Sequence, residues 1–590
     1  MLSQPPLTLL RQELRRRRLQ GFLVPRADEH QGEYVPPSAE RLAWLTGFTG
    51  SAGFAIVLED QAVLFVDGRY TLQAAAEVDR SLFQFRHLHD DPPNRWLAKT
   101  LPAGTRVGYD PWLHTPDVVE LMVQACRAAK AKLVPVRSNP LDAVWRDRPA
   151  PPTAPLVLHP LEFAGRDAAE KRAEIAEMLT RDKVDTAVLT KPESIAWLLN
   201  IRGGDVPFAP MPLAFALIHA DQTVDLFVDP KKLSAPVVDH LGPAVRLAPP
   251  DMFGAALDGL AERTVRIDTA TAPAWAQDRL VAARVTLDKG IDPCEVPKAC
   301  KNAVELAGSR RAHQRDGIAL ARFFAWLDGA IDAGDVTEIT AAETLAEFRR
   351  AGAHFRSQSF PTISGAGPNG AIVHYRSTAA TNRKLAAGQL YLVDSGAQYL
   401  DATTDVTRTI AVGAVGAEER RRFTLVLKGH IALATARFPE GTTGSQLDAL
   451  ARRALWNEGL DYDHGTGHGV GSYLGVHEGP QRIGKQSSGQ PLLPGMVISD
   501  EPGYYKAGAY GIRIENLVAV KRWEAVSERP MLEFEVLTLA PIDLALVDTA
   551  LLDAQEIAWL NAYHARVREA LTPDLDAATA AWLERATREI

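Results

Sequence analysis

Cysteine is scarce in this chain of 590 residues: only Cys126, Cys294 and Cys300 occur. Three scattered thiols cannot build a disulfide framework, and none belongs to a Cys-x-x-Cys pair, so buried, inert thiols are expected. Long hydrophobic runs are missing too. Nothing approaches the ~20 apolar residues that cross a bilayer, and the N-terminus has no apolar segment ending in a small-residue cleavage site. A cytoplasmic protein with no membrane partner is expected. Positive charge is also not in excess: 65 Lys and Arg stand against 73 Asp and Glu, a formal net charge of -8, which gives no field to attract nucleic acid or an anionic membrane. The one basic run, "RQELRRRRLQ" at 11 to 20, alternates with Leu10, Leu14 and Leu19 and is expected to be the solvated face of a first helix.

What remains is an ordinary globular composition, 46% hydrophobic and 23% charged, on a chain too long for one core. A proline-rich break, "DRPAPPTAP" at 147 to 155, separates two segments that resemble each other. "ERLAWLTG" (40 to 47) parallels "ESIAWLLN" (193 to 200), and "GFAIVLEDQAVLFVD" (53 to 67) parallels "AFALIHADQTVDLFVD" (214 to 229). Two related α/β domains are expected. A second break, "LDKGIDPCEVP" at 287 to 297, precedes "KNAVELAGSRRAHQRDGIALARFFAWLDGAI", whose apolar spacing reads as two long helices. From about 389 the period changes to two, in "QLYLVDSG", "TRTIAVG", "GMVISDEP" and "GIRIENLVAV", so a third domain mixes helices with antiparallel strands as α+β. The expected divisions are 1–150, 151–290, 291–540 and a C-terminal extension, 541–590.

The chemistry falls in that third domain. Asp394 and Asp405 stand on the two arms of an expected hairpin, with Asp401 at its tip as an ordinary turn aspartate. Two carboxylates on one face repel unless a cation lies between them. Glu501 in "VISDEPGYY" and Glu515 in "GIRIENLV" flank the turn "AGAYG" and form a second such pair, embedded among apolar residues where an unpaired carboxylate is expensive. The stretch "DHGTGHGVGSYLGVHEGP" (463 to 480) adds His464, His468 and His477. His464 and His468 stand four apart, but the glycines between and around them, each costing roughly 1 kcal/mol in a helix, rule out a helical two-histidine zinc site. One histidine and four carboxylates make a site for two divalent ions, with Mn²⁺, Co²⁺ or Zn²⁺ suited to mostly oxygen donors. Hydrolysis is the natural reaction.

Asp-x10-Asp, "GTGHGVG", "DEPGYY" and "RIEN", in this order, resemble the pita-bread metallopeptidases, the group of methionine aminopeptidase, prolidase, aminopeptidase P and creatinase. The resemblance implies Asp394, Asp405, His468, Glu501 and Glu515 as metal ligands, with Asp405 and Glu515 bridging, and two ions, of which Mn²⁺ is the expected pair. Nearly the whole chain is similar to the long cytosolic form of aminopeptidase P: two creatinase-like α/β domains before a pita-bread α+β catalytic domain. "GFTGSAGFAIVLEDQAVLFVDGRY" resembles the first domain, "SFPTISGAGPNGAIVHY" the substrate strand, "VHEGP" the proline-enzyme signature, and the segment 534 to 564 an extension that prolidases lack.

The implied activity is release of the N-terminal residue from small peptides with proline second, by a hydroxide bridging the two ions, with Glu501 shuttling the proton. His374 and His477 are expected to bind substrate and stabilise the oxyanion. His464 is left open between a catalytic neighbour, a partner of a ligand and a structural donor. Arg408 and Arg513 are expected to hold ligand carboxylates from outside, and Arg69 of "DGRY" to reach the peptide. A homodimer is implied. The rivals are prolidase, with the same ligands but dipeptide substrates, and a non-catalytic peptide-binding module, whose mark would be missing ligands.

Overall fold

The computed structural model describes residues 4–590, and the chain divides into two compact units. The first, residues 1–160 and 166–295, carries two six-stranded sheets of one topology. In strand order the first sheet runs Gln84–His87, Ala62–Val66, Phe54–Leu58, Gly21–Pro25, Arg106–Tyr109, Lys132–Pro135. The second runs Val245–Ala248, Val224–Phe227, Phe215–His219, Thr186–Leu189, Thr264–Arg266, Thr286–Asp288. In both, the central three strands are antiparallel and the outer ones parallel. The duplicated sequence therefore encodes a duplicated fold. Its signature extends to the helix ends. Arg41–Thr46 stops at Gly47 and Pro192–Leu199 at Asn200, both in the left-handed conformation (φ 82 and 50) that glycine and asparagine tolerate best.

The basic run lies partly on the helix Pro6–Arg16, which buries Leu7, Leu10 and Leu14, with Arg15 and Arg16 in its last turn, where cations suit the dipole. Trp112 and Trp275 stack at 3.8 Å between the two halves of this unit.

The second unit comprises residues 161–165 and 296–590. The stretch that reads as two helices is one, Ala303–Ala333, opened by an Asn302/Glu305 capping box. Its internal glycines do not break it, and Gly308 and Gly317 admit neighbours. A Cβ on Gly308 would meet the Asp401 carbonyl oxygen at 2.5 Å, closer than real contacts allow, so tertiary packing rather than helix termination accounts for that residue.

Strand Gln389–Ser395 lies between Ile363–Ala366 and Val406–Val412. Val497–Asp500 pairs with Asn516–Arg522, and Gly503–Lys506 with Tyr510–Arg513. Behind them the helix Ala417–Ala434 supplies Phe423, Val426 and Leu427 to a core shared with Ile512, Ile514 and the C-terminal residues Leu560, Val567 and Leu571. The extension is thus packed into the same core as the strands that carry the carboxylates.

Candidate metal centre

The first hairpin brings its aspartates to one face diagonally rather than as a direct pair. Asp394 lies opposite Thr407, two residues beyond Asp405, and period-two alternation puts Asp394, Thr407 and Asp405 on the same side. Asp401, expected as a plain turn aspartate, does sit in the turn but is buried and ion-paired with Arg315 and, at 3.8 Å, Arg311. In the second hairpin the pairs Asp500↔Asn516 and Gly503↔Arg513 keep one register, which places Glu501 opposite Glu515.

His468 enters on the short strand Gly467–His468. Its Nε2 is 3.4 Å from Asp405 Oδ2 and 3.4 Å from Glu501 Oε1. A Cβ on Gly467 would collide with the Ser499 carbonyl oxygen, and one on Gly469 with that of Glu478. Glycine is what lets the His468 backbone lie against the strand leading to Glu501. Among the described residues, Asp405, His468 and Glu515 offer three ligand atoms all within 4.8 Å of one another.

The electrostatics call for a cation. Burial, then the facing Asp394 and Glu501, push the Asp405 carboxyl up to about 6, against the pull of His468. Burial and the charges of Asp405, Glu501 and Asp394 raise Glu515 well above the usual carboxylate range. Burial lowers His468, but its bond to Asp405 and the Glu501 charge outweigh this and raise it to about 9. From the two sides of one ion pair, the imidazole is stabilised as a cation while the carboxylate is still hard to ionise. The reason is that Asp405 faces two further carboxylates and His468 faces none of its own sign. In addition Asp394 Oδ1 is buried with no hydrogen-bond partner. A crowded set of carboxylates with an unsatisfied inward oxygen and one imidazole fits divalent metal ions.

Arg513 donates to Asp394 Oδ2 at 2.6 Å, to Thr407 Oγ1 and to Tyr505 Oη, so one guanidinium ties both hairpins together. Arg408 differs from expectation. It donates to the backbone carbonyls of Thr407, Glu515, Ala540 and Pro541 and to the side chains of Asn516 and Tyr563, and to no carboxylate oxygen. It holds the Glu515 backbone, not its charge. His464 meets Tyr505 Oη through Nε2 at 2.8 Å and lies 4.0 Å from Glu501 Oε2 through Nδ1.

His477 is exposed, and its ring sits edge-on to that of His468 with centroids 4.3 Å apart. His374 is half-buried on a turn after the 3-10 helix Gly367–Ala371, not on a strand; the strand covers only Ile363–Ala366. The neighbouring Val373 carbonyl accepts from Arg513 at 3.4 Å. Arg69 lies in the first unit, where its guanidinium is paired with Asp67 at 2.7 Å.

Several partners carry no sequence signal of their own. Thr407 Oγ1 donates to Glu515 Oε2 at 2.7 Å. Ser499 Oγ donates to Glu501 Oε1 at 3.1 Å and accepts from the His468 N–H at 2.9 Å. His430 Nδ1 lies 3.2 Å from Asp500 Oδ2 beneath the second hairpin.

With this geometry in hand, comparison with known proteins is decisive. Residues 307–522 match the metallopeptidase family M24, and 6–144 and 147–305 both match the creatinase/prolidase N-terminal domain. Residues 530–590 match the C-terminal region of the same peptidase family. A relative from Aspergillus niger, a probable Xaa-Pro aminopeptidase P, is 41% identical across 99% of this chain and 98% of its own. The chain belongs to the aminopeptidase P family of M24 metallopeptidases. Aminopeptidase P1 of Lotus japonicus is 38% identical over 97% of both chains. The crystal structure of the X-prolyl aminopeptidase of Caenorhabditis elegans, described as a cytosolic enzyme with a di-nuclear active site, superposes with a TM-score of 0.95 at 35% identity, covering 99% of each chain. Creatinase-type N-terminal domains ahead of a pita-bread M24 catalytic domain are the fold class expected from the sequence.

Proposed function

We propose that this protein is a metal-dependent Xaa-Pro aminopeptidase, releasing the first residue of small peptides whose second residue is proline. The observation that carries this is the convergence of Asp405, His468 and Glu515 within 4.8 Å, with Glu501 against His468 and the inward Oδ1 of Asp394 beside them. These five residues are the proposed ligands of two divalent ions, for which Mn²⁺ suits the oxygen-rich set, with Co²⁺ or Zn²⁺ as alternatives. Bound there, the ions would supply Lewis-acid polarisation and a water acidified toward neutrality.

The chain's own residues do the rest. Glu501 takes the proton of the attacking water and delivers it to the leaving prolyl nitrogen, which as a tertiary amide has no N–H. Ser499, donating to Oε1 of Glu501, orients that carboxylate. Arg513 and Thr407 fix Asp394 and Glu515 so that the cavity does not relax when ligands exchange. His477 and His374 hold the peptide and donate to the oxyanion, and Tyr505 places His464 at the edge of the site. Arg69 is assigned to peptide binding by the family resemblance. The matched ranges support the division into two creatinase-type domains, a catalytic domain and an extension. Cytoplasmic residence draws on the cytosolic nematode enzyme and on the finding that no helix among the described residues is long and apolar enough to cross a membrane. A homodimer rests on the family alone.

The test is to load the protein with Mn²⁺ and offer Arg-Pro-Pro beside Gly-Pro. Release of arginine from the tripeptide is expected. Cleavage of the dipeptide alone would make it a prolidase, and no cleavage with both ions bound would leave a binding module.

A further inference from the structure

We propose that Lys298, far from the ligands in sequence, is a positioning residue for His477, acting through a buried ion pair with Glu478. This rests on the role of His477 given above. Lys298 Nζ lies 2.8 Å from Glu478 Oε1, and both side chains are 1% exposed. Lys301 approaches the same oxygen at 3.9 Å.

Glu478 is the fixed point of the loop that carries His477. Its backbone N–H donates to the Gly469 carbonyl at 2.8 Å, next to His468. Its Oε2 accepts from the Gly475 N–H at 3.2 Å. A Cβ on Gly471 would meet that same oxygen at 2.6 Å, so the loop is wrapped closely around the carboxylate. His477, one residue earlier, is exposed yet stands edge-on to His468. Residues 471–480 form no strand or helix, so a few isolated backbone bonds alone, such as that from Glu478 to Gly469, do not aim the His477 side chain. The anchored carboxylate behind it does, and Lys298, on the helix Glu295–Ala299, is the charge that holds this carboxylate in place. Fully desolvated pairs of this kind hold geometry more than they add stability, which suits a part whose task is to aim an imidazole.

The experiment is a double-mutant cycle on the Mn²⁺-loaded protein with Arg-Pro-Pro as substrate, using Lys298→Met, His477→Asn and the two combined. Lys298→Met is expected to lower kcat by about 10- to 100-fold, the scale of an ångström-sized misplacement. Its bound metal should stay close to wild type, and it should lower kcat no further when His477 is already Asn. Because Lys298→Met alone leaves a buried carboxylate without its 2.8 Å cationic partner, Lys298→Met/Glu478→Gln is made alongside. It removes both charges, keeps an acceptor for Gly475, and is expected to recover thermal stability but not kcat. Recovery of wild-type kcat in that neutral pair would overturn the proposal, as would equal losses from Lys298→Met with and without His477. Wild-type protein that cleaves no peptide would refute the proposed activity instead, so the two failures are distinguishable.

Discussion

Stripping the metal with a chelator should leave a protein that loses stability as the pH rises, the reverse of the metal-loaded form on its acid side. Two groups set the direction. The Asp405 carboxyl sits at about 6 instead of 3.8, first because it is buried and then because Asp394 and Glu501 face it. A carboxyl held above its unfolded value keeps its proton more tightly when folded. The penalty is therefore absent below about 4 and complete above about 6. His468 goes from 6.5 to about 9, burial being outweighed by Asp405 and Glu501. A raised histidine contributes stability that is fully present below 6.5 and is lost as pH climbs through about 9. At 1.36 kcal/mol per pH unit, that difference of about 2.5 corresponds to about 3 kcal/mol. The Asp405 penalty comes from burial and the facing carboxylates, with His468 opposing it, and it is already complete below the interval in which His468 titrates, so it is not added. The His468 contribution stems from two direct contacts at 3.4 Å, with Asp405 and Glu501.

Metal binding is expected to invert this dependence, because the proposed ligands would bind as ionised carboxylates and a neutral imidazole, so protons compete with the ions as pH falls. Thermal unfolding of chelated and Mn²⁺-loaded protein between pH 6.5 and 9 reads the difference. A loss of about 3 kcal/mol lowers Tm by several degrees for a unit of this size. A chelated protein whose Tm is flat or rises over that interval would refute the argument, and so would superimposable curves for the two forms.

Asp405→Asn should abolish peptide cleavage and lower bound metal, measured by elemental analysis, since a proposed ligand is lost; full activity with unchanged metal would refute the assignment. Arg513→Met should destabilise the protein by about 3 to 5 kcal/mol in denaturant titration, because Asp394 loses a 2.6 Å partner in a buried site. The same variant should weaken metal binding about 10- to 100-fold, and wild-type metal affinity in it would show that Arg513 does not position Asp394.

What the sequence makes legible here is whatever depends on local periodicity. Asp394, Asp405, Glu501 and Glu515 stand out because a charged residue breaks an apolar run of period two, and a glycine-bearing turn folds each run back on itself. The duplicated α/β halves are legible for the same reason: each repeats a short helix, a left-handed stop and a hairpin. Helix continuity through Gly308 is not legible, because its glycine answers to the Asp401 carbonyl, a tertiary neighbour, rather than to helix propensity. Arg408 misleads in the same manner. Its sequence position beside a ligand suggests a carboxylate partner, whereas the strand places its guanidinium among carbonyls of residues 540 and 541, which only the folded extension supplies.

The division has a physical basis. A ligand must be a particular residue type, and hard metal ions accept few, so the ligands leave a mark in the sequence. The groups that aim them need only donate or accept at the right place, and a threonine, a serine, a backbone carbonyl or a distant lysine serves equally well. Thr407 beneath Glu515, Ser499 beneath Glu501 and Lys298 behind Glu478 are therefore chosen by distance, which exists only after folding. The "HEGP" stretch shows both sides at once. His477 is found from its motif, but what holds it edge-on to His468 is an ion pair whose two halves stand 180 residues apart in the chain.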